Sequence, residues 1–130
     1  MKKLTYIINV DWYFKLHWVN RALAAKESGY DITIITHFTS TDIRDYLEGL
    51  GFNCIELSFS RSGVNPFLEL VSLFKLYKHL KELQPNLVNC ITVKPSIYGG
   101  LVSNLLRLSS LKSITGLGAV FSSESLLFRL

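Results

Sequence analysis

Nine consecutive residues, Thr92-Val93-Lys94-Pro95-Ser96-Ile97-Tyr98-Gly99-Gly100, hold the densest chemical potential in the chain. They follow an apolar stretch. Such handovers mark the carboxyl ends of parallel strands, where open α/β sheets bind ligands. Pro95 stiffens the turn, Ser96 is placed to cap a following helix, and Lys94 adds a point charge. Backbone N–H groups at a helix start beside an ammonium suit an anionic ligand. The bland alternative is a capped helix with an exposed lysine. A second block, Thr115-Gly116-Leu117-Gly118, stands after a later apolar run, where Gly116 and Gly118 permit positive φ and close backbone approach.

Three further groups stand at comparable handovers. In Asn9-Val10-Asp11-Trp12-Tyr13-Phe14, Asp11 is placed to act as a base or to orient a hydroxyl, or else simply to begin the turn. Trp12 and Phe14 offer aromatic faces for the C–H face of a sugar, or packing over the sheet end. His17 follows in the first helix, suited to acid–base work or phosphate, although a structural role is the commoner one. His37 stands after the second apolar run. In Ser60-Arg61-Ser62-Gly63, Arg61 presents a planar fork for phosphate or carboxylate.

The elements that must position these residues read as an alternating series. Strands are expected over 4–10, 31–36, 53–57, 87–91 and 112–115. Helices are expected over 15–28, from Thr41 or Asp42 to Leu50, from Pro66 to Leu83, and from Ser96 to Leu108. Leu70, Phe74, Tyr77 and Leu80 are assigned to the core face of the third helix, and Glu69, Ser72, Lys75, His79 and Glu82 to its polar face. The order β-α-β-α-β-α-β-α-β implies a Rossmann-like open parallel sheet of about five strands with helices on both faces. The run from Ser122 reads as the start of a further helix, so the expectation is a single domain whose end lies beyond residue 130.

Several function classes are disfavoured. The first turn lacks the glycine-rich dinucleotide fingerprint, and its aromatic residues would block a pyrophosphate. No P-loop, Ser-His-Asp order, His-x-x-x-His or Cys-x-x-Cys occurs, so neither metal nor hydrolase chemistry is supported. With 14 Lys and Arg against 10 Asp and Glu the net charge is +4, too diffuse for nucleic acid but favourable at an anionic surface or a phosphate-bearing ligand. Cys54 and Cys90 fall in apolar runs and are expected to be buried free thiols. No signal peptide and no run of 18 apolar residues is recognisable, so the expected location is cytoplasmic, with room for a peripheral contact at the inner membrane face.

Taken in order along the whole chain, these blocks resemble the N-terminal domain of bacterial family 4-type GT-B glycosyltransferases, of the kind acting in capsule, O-antigen and lipid-linked oligosaccharide assembly. The residues that carry the resemblance are Asn9–Phe14 with His17 and Arg21, Gly29–Thr33, Ser60–Pro66, Thr92–Gly99, and Thr115–Gly118 with Phe121. The resemblance implies a two-domain enzyme that transfers a sugar from a nucleotide-sugar, usually UDP-linked, with retention and without a metal or other cofactor. The acceptor would be a polyprenyl-diphosphate-linked sugar or a polysaccharide. Asp11 and His17 would be catalytic. Trp12, Phe14, Arg61, Thr92, Lys94, Ser96, Thr115, Gly116 and Gly118 would bind substrate on the acceptor side. The nucleotide-sugar domain, with an acidic pair seven residues apart, is not in this sequence, so the chain alone is expected to be inactive. A histidine frequent near the end of the fourth strand of such enzymes is replaced here by Asn89-Cys90-Ile91. The alternative reading is a non-catalytic subunit working with a separate catalytic chain. A sugar-nucleotide epimerase is disfavoured by the glycine-poor first turn.

Overall fold

The computed structural model describes residues 2–58 and 66–113. Their elements run β1 (Lys2–Ile7), α1 (Asp11–His17), α2 (Val19–Glu27), β2 (Tyr30–Thr36), α3 (Thr41–Gly49), β3 (Asn53–Glu56), α4 (Pro66–Leu83), β4 (Leu87–Ile91), α5 (Val93–Leu106) and β5 (Ser110–Ser113). All strand pairings are parallel, in the order β3-β2-β1-β4-β5. The expected five-stranded parallel α/β sheet is therefore the architecture found.

β1 is the middle strand of the sheet, between β2 and β4, and from Leu4 to Ile7 every residue is buried. Successive side chains point to opposite faces, which builds two cores. On one face Tyr6, Ile8, Ile32 and Ile34 pack with Phe14 of α1, Trp18 between α1 and α2, Ala22 of α2 and Leu47 of α3. On the other Ile7, Ile35, Val88 and Cys90 pack with Leu76, Leu80 and Val102 of α4 and α5. Cys54 and Cys90 are free thiols, both pushed up to about 11 chiefly by burial, so neither is a ready nucleophile at neutral pH.

Several boundaries differ from expectation, each for a local reason. β1 ends at Ile7 because Asn9 and Val10 belong to the turn into α1. The single helix expected over 15–28 starts at Asp11 and is interrupted at Trp18, where φ opens to −118° while the ring stays buried beside Tyr6. Ser40, rather than Thr41 or Asp42, caps α3, accepting the Asp42 N–H at 3.0 Å. α5 begins at Val93 because a proline in a first helical turn removes only an N–H that has no intrahelical partner. β5 spans Ser110–Ser113, and the remainder of the expected strand lies outside the described residues.

The core face of α4 is also corrected. Leu76 and Leu80 are its buried residues, with Leu73, Tyr77 and Leu83 half-buried. Leu70 and Phe74, expected in the core, face solvent. Apolar residues occur all round this helix, so periodicity alone could not choose which arc meets the sheet.

Candidate functional site

The sheet reverses its direction of winding between β1 and β4: β1 leads to β2 on one side and β4 to β5 on the other. Loops leaving these neighbouring carboxyl ends diverge and open a crevice, the usual ligand position in such sheets. Asn9 stands on one lip, exposed, and Thr92 on the other, half-buried. Thr92 Oγ1 donates to the Ile91 carbonyl and reaches Asn9 Oδ1 at 3.5 Å, spanning the crevice.

Thr92 is held at φ 74° and ψ 176°, a region almost reserved for glycine. Its N–H donates to the Ser113 carbonyl at 2.9 Å, and its own carbonyl accepts the Ser96 N–H at 3.2 Å and Ser96 Oγ at 2.6 Å. Strain of roughly 1–3 kcal/mol at a non-glycine residue persists only where surrounding bonds over-determine it, and such residues concentrate at functional sites. Ser96, expected as a cap, is instead buried inside the first turn of α5, donating to Thr92 and Cys90 carbonyls. It shapes the lip from within. Lys94 stands in the same turn, at the second position of α5.

Asp11 is fully buried. Its Oδ2 accepts the Thr39 N–H at 2.9 Å, its Oδ1 accepts the Thr39 hydroxyl at 2.8 Å, and its N–H donates to the His37 carbonyl at 3.1 Å. The residue thus ties the loop after β1 to the loop after β2. Trp12 is 50% exposed at the same turn, its ring set roughly perpendicular to that of Tyr13 at 5.9 Å. Phe14 is 0% exposed, packed edge-on against Tyr6 and Phe52, and has no face left for a sugar ring. His17 ends α1 on the surface, its ring 4.5 Å from that of Tyr13. The structure therefore gathers Asn9, Asp11, Trp12, Thr92, Lys94 and Ser96 at one rim and carries His17 to the far end of α1, about 9 Å along the helix axis from Asp11. Arg61, Thr115, Gly116 and Gly118 lie outside the described residues.

A polar cluster that the sequence reading touched only through His37 sits at the ends of β2 and β3. Glu56 Oε2 is 2.9 Å from His37 Nδ1 and accepts from Ser58 Oγ at 3.2 Å, while its Oε1 accepts the Phe38 N–H at 2.9 Å. Ser58 Oγ also lies 3.1 Å from His37 Nδ1. Serine and carboxylate converge on one ring nitrogen, whereas a nucleophile relay uses opposite nitrogens. The group is a rim brace, not a hydrolytic triad. Glu56 lies inside the strand expected over 53–57 and is not singled out there, because nothing local signals that β2 brings His37 to it.

Burial pushes the Glu56 carboxyl up, but hydrogen bonds from His37, the Phe38 N–H and Ser58 outweigh it and hold its pKa below the usual value. A carboxylate depressed by folding contributes stability that is complete above its unfolded pKa and is lost as pH falls through the folded pKa. Glu56→Gln should therefore destabilise at pH 6 by less than about 1 kcal/mol, given its exposure, and the gap from wild type should close below about pH 4. Urea midpoints at the two pH values measure this. A gap that widens on acidification would refute the brace.

Among the described residues no group of three or more His, Cys, Asp or Glu is arranged to hold a metal ion, and no helix is long and apolar enough to cross a membrane. Residues 3–128 match the family described as glycosyl transferase 4-like. No curated protein matches the chain in sequence. Among solved structures, a glycosyltransferase from Rickettsia africae superposes with a TM-score of 0.68 at 16% identity, over 85% of this chain and 29% of that one. MurG of Acinetobacter baumannii gives 0.63 at 17% identity, over 86% and 34%. The UDP-GlcNAc 2-epimerase of Methanocaldococcus jannaschii gives 0.57 at 20% identity, over 85% and 30%. These similarities establish the fold, and the chain spans about a third of the length of these three proteins.

Proposed function

The chain belongs to the glycosyl transferase 4-like family, and we propose that it is the acceptor-side domain of a retaining, metal-independent GT-B transferase. In this reading the donor is a nucleotide-sugar held by a second domain, and the acceptor is a lipid-linked or polysaccharide chain of the kind built in capsule or O-antigen assembly. The observation that carries it is the crevice between β1 and β4, with the strained Thr92 facing Asn9 across it. Strain maintained at a ligand-binding rim is expected of a preorganised site.

Within this reading the roles separate. Asn9 and Thr92 supply hydroxyl and amide groups to acceptor hydroxyls, and Trp12 supplies an aromatic face to a sugar ring. Lys94 and the α5 amino terminus counter the charge of an acceptor diphosphate. Asp11 positions the lip through Thr39. Arg61 and the Thr115–Gly118 block complete the acceptor wall by family resemblance.

A water-soluble short-chain prenyl-diphosphate sugar, titrated into the isolated chain, should perturb tryptophan fluorescence through Trp12. A UDP-sugar at equal concentration should not, and Asn9→Ala should weaken the acceptor response at least about tenfold, corresponding to about 1.4 kcal/mol. Tighter binding of the UDP-sugar than of the prenyl-diphosphate sugar would overturn the acceptor-side assignment.

A further inference from the structure

A hollow of about 320 Å³ opens between the carboxyl end of β3 and the first turns of α4, apart from the β1–β4 crevice. Leu57, Leu68 and Val71 give it an apolar wall, and Glu56, Ser58, Ser72 and Lys75 its polar groups. The hydroxyl protons are already engaged. Ser72 Oγ donates to the Ser58 carbonyl at 3.0 Å, and Ser58 Oγ stands 3.2 Å from Glu56 Oε2 and 3.1 Å from His37 Nδ1. Both serines therefore offer a ligand lone pairs rather than donors. Glu56 meets His37, the Phe38 N–H and Ser58 with a carboxylate that has room for about one further donor. Lys75 forms no ion pair among the described residues, with Glu56 or any other acid, so its ammonium donors are free.

We propose that this hollow is a second sugar subsite, which takes a neutral pyranose of the acceptor chain remote from its diphosphate end; it rests on the acceptor-side reading above. Acceptors from Glu56, Ser58 and Ser72, one ammonium and an apolar wall match a ligand that carries several O–H groups around a C–H face. A phosphate or a uronate is the poorer occupant, because the Glu56 carboxylate would repel it. A nucleotide base is poorer still, since no aromatic ring lines the hollow. The crevice lies between β1 and β4, and β3 stands beyond β2 on the other side of β1. At about 4.8 Å per strand the hollow is roughly 12 Å from the crevice, farther than one monosaccharide reaches and within the span of a short oligosaccharide. Both openings stand at carboxyl ends of strands and so share one rim. His37 fixes them to each other: its carbonyl accepts the Asp11 N–H at 3.1 Å, and its ring meets Glu56 at 2.9 Å.

Fluorescence titration of the chain with two short-chain prenyl diphosphates, one carrying a single neutral hexose and the other a linear neutral trihexose, tests the proposal. The trihexose compound should bind at least about tenfold tighter. Lys75→Gln should cut that advantage about threefold or more, and Ser72→Phe, which fills the hollow, should remove it. Both variants should leave the affinity for the monohexose compound unchanged. Lys75 is exposed, so its variant keeps the test open should Ser72→Phe disturb α4. Equal affinity for the two compounds, or a trihexose advantage that survives both variants, would overturn the subsite and leave the acceptor-side reading standing. Binding of neither compound would overturn the acceptor-side reading itself, and the subsite with it.

Discussion

Asp11→Ala should destabilise the chain by about 2–3 kcal/mol, because two hydrogen bonds to a buried carboxylate, about 1.5–3 kcal/mol each, disappear and water replaces them only in part. The Thr39 N–H and hydroxyl that donate to Asp11 would turn to water, since Thr39 is exposed, and the loop after β2 would lose its tie to the loop after β1. Domains of this size are stable by only about 5–15 kcal/mol, so the loss would be a substantial share of the total. Asp11→Asn separates anchoring from chemistry. Its carbonyl can still accept the Thr39 N–H, and the Thr39 hydroxyl can rotate to accept from the amide. That variant should lose about 1–2 kcal/mol. In the proposed two-domain enzyme it should retain most acceptor binding if Asp11 only positions the lip, and lose turnover if Asp11 handles a proton. Urea unfolding of both variants is the direct measurement, and a loss below about 1 kcal/mol for alanine would remove the anchoring role.

Gly99→Val should cost about 3 kcal/mol or more through overpacking. A Cβ at Gly99 collides with the Cys90 sulfur and comes within 3.2 Å of Ile7 Cδ1, both buried side chains of the sheet. Gly99→Ala gains about 1 kcal/mol of helix propensity and still loses about 1–2 kcal/mol net. Adding Cys90→Ala should recover part of that loss, with a coupling of about 1 kcal/mol. Gly100 is the internal control. Its added Cβ meets only the Cε end of Lys112 at 2.7 Å, a flexible side chain that can move aside. Gly100→Ala should therefore be neutral or stabilising by up to about 1 kcal/mol. Equal effects at the two glycines would show that the close approach of α5 to β4 and β1 is not maintained in solution. That approach matters at the rim, because α5 carries Thr92, Lys94 and Ser96 on its first turn and lip.

Much of this architecture is legible in the amino-acid sequence. Short β-branched runs such as Asp31–Thr36 and Leu87–Ile91 can only be buried strands in a chain this apolar, and Pro66 and Gly29 punctuate helices in the expected way. The handover residues Asp11, Trp12, Thr92, Lys94 and Ser96 were legible as one class because every carboxyl end in a parallel sheet faces the same rim. The errors share a cause. Which arc of α4 is buried, and which of Phe14 and Trp12 stays exposed, depend on contacts many residues away.

The sequence by itself determined the alternation of strands and helices, the parallel sheet, the rim that carries the polar residues and the absence of a dinucleotide turn. These follow from local periodicity, glycine placement and covalent connectivity. Only the tertiary structure decided that β1 and β4 are neighbours, that Asn9 meets Thr92 across their crevice, that Asp11 is spent on Thr39, and that His37, Glu56 and Ser58 form one brace. Each is a contact between residues from 19 to 83 positions apart, or a strand order that several topologies would satisfy equally well by local criteria. Such choices are made by burial on two faces of one sheet at once, a property of the assembled molecule and of no segment within it.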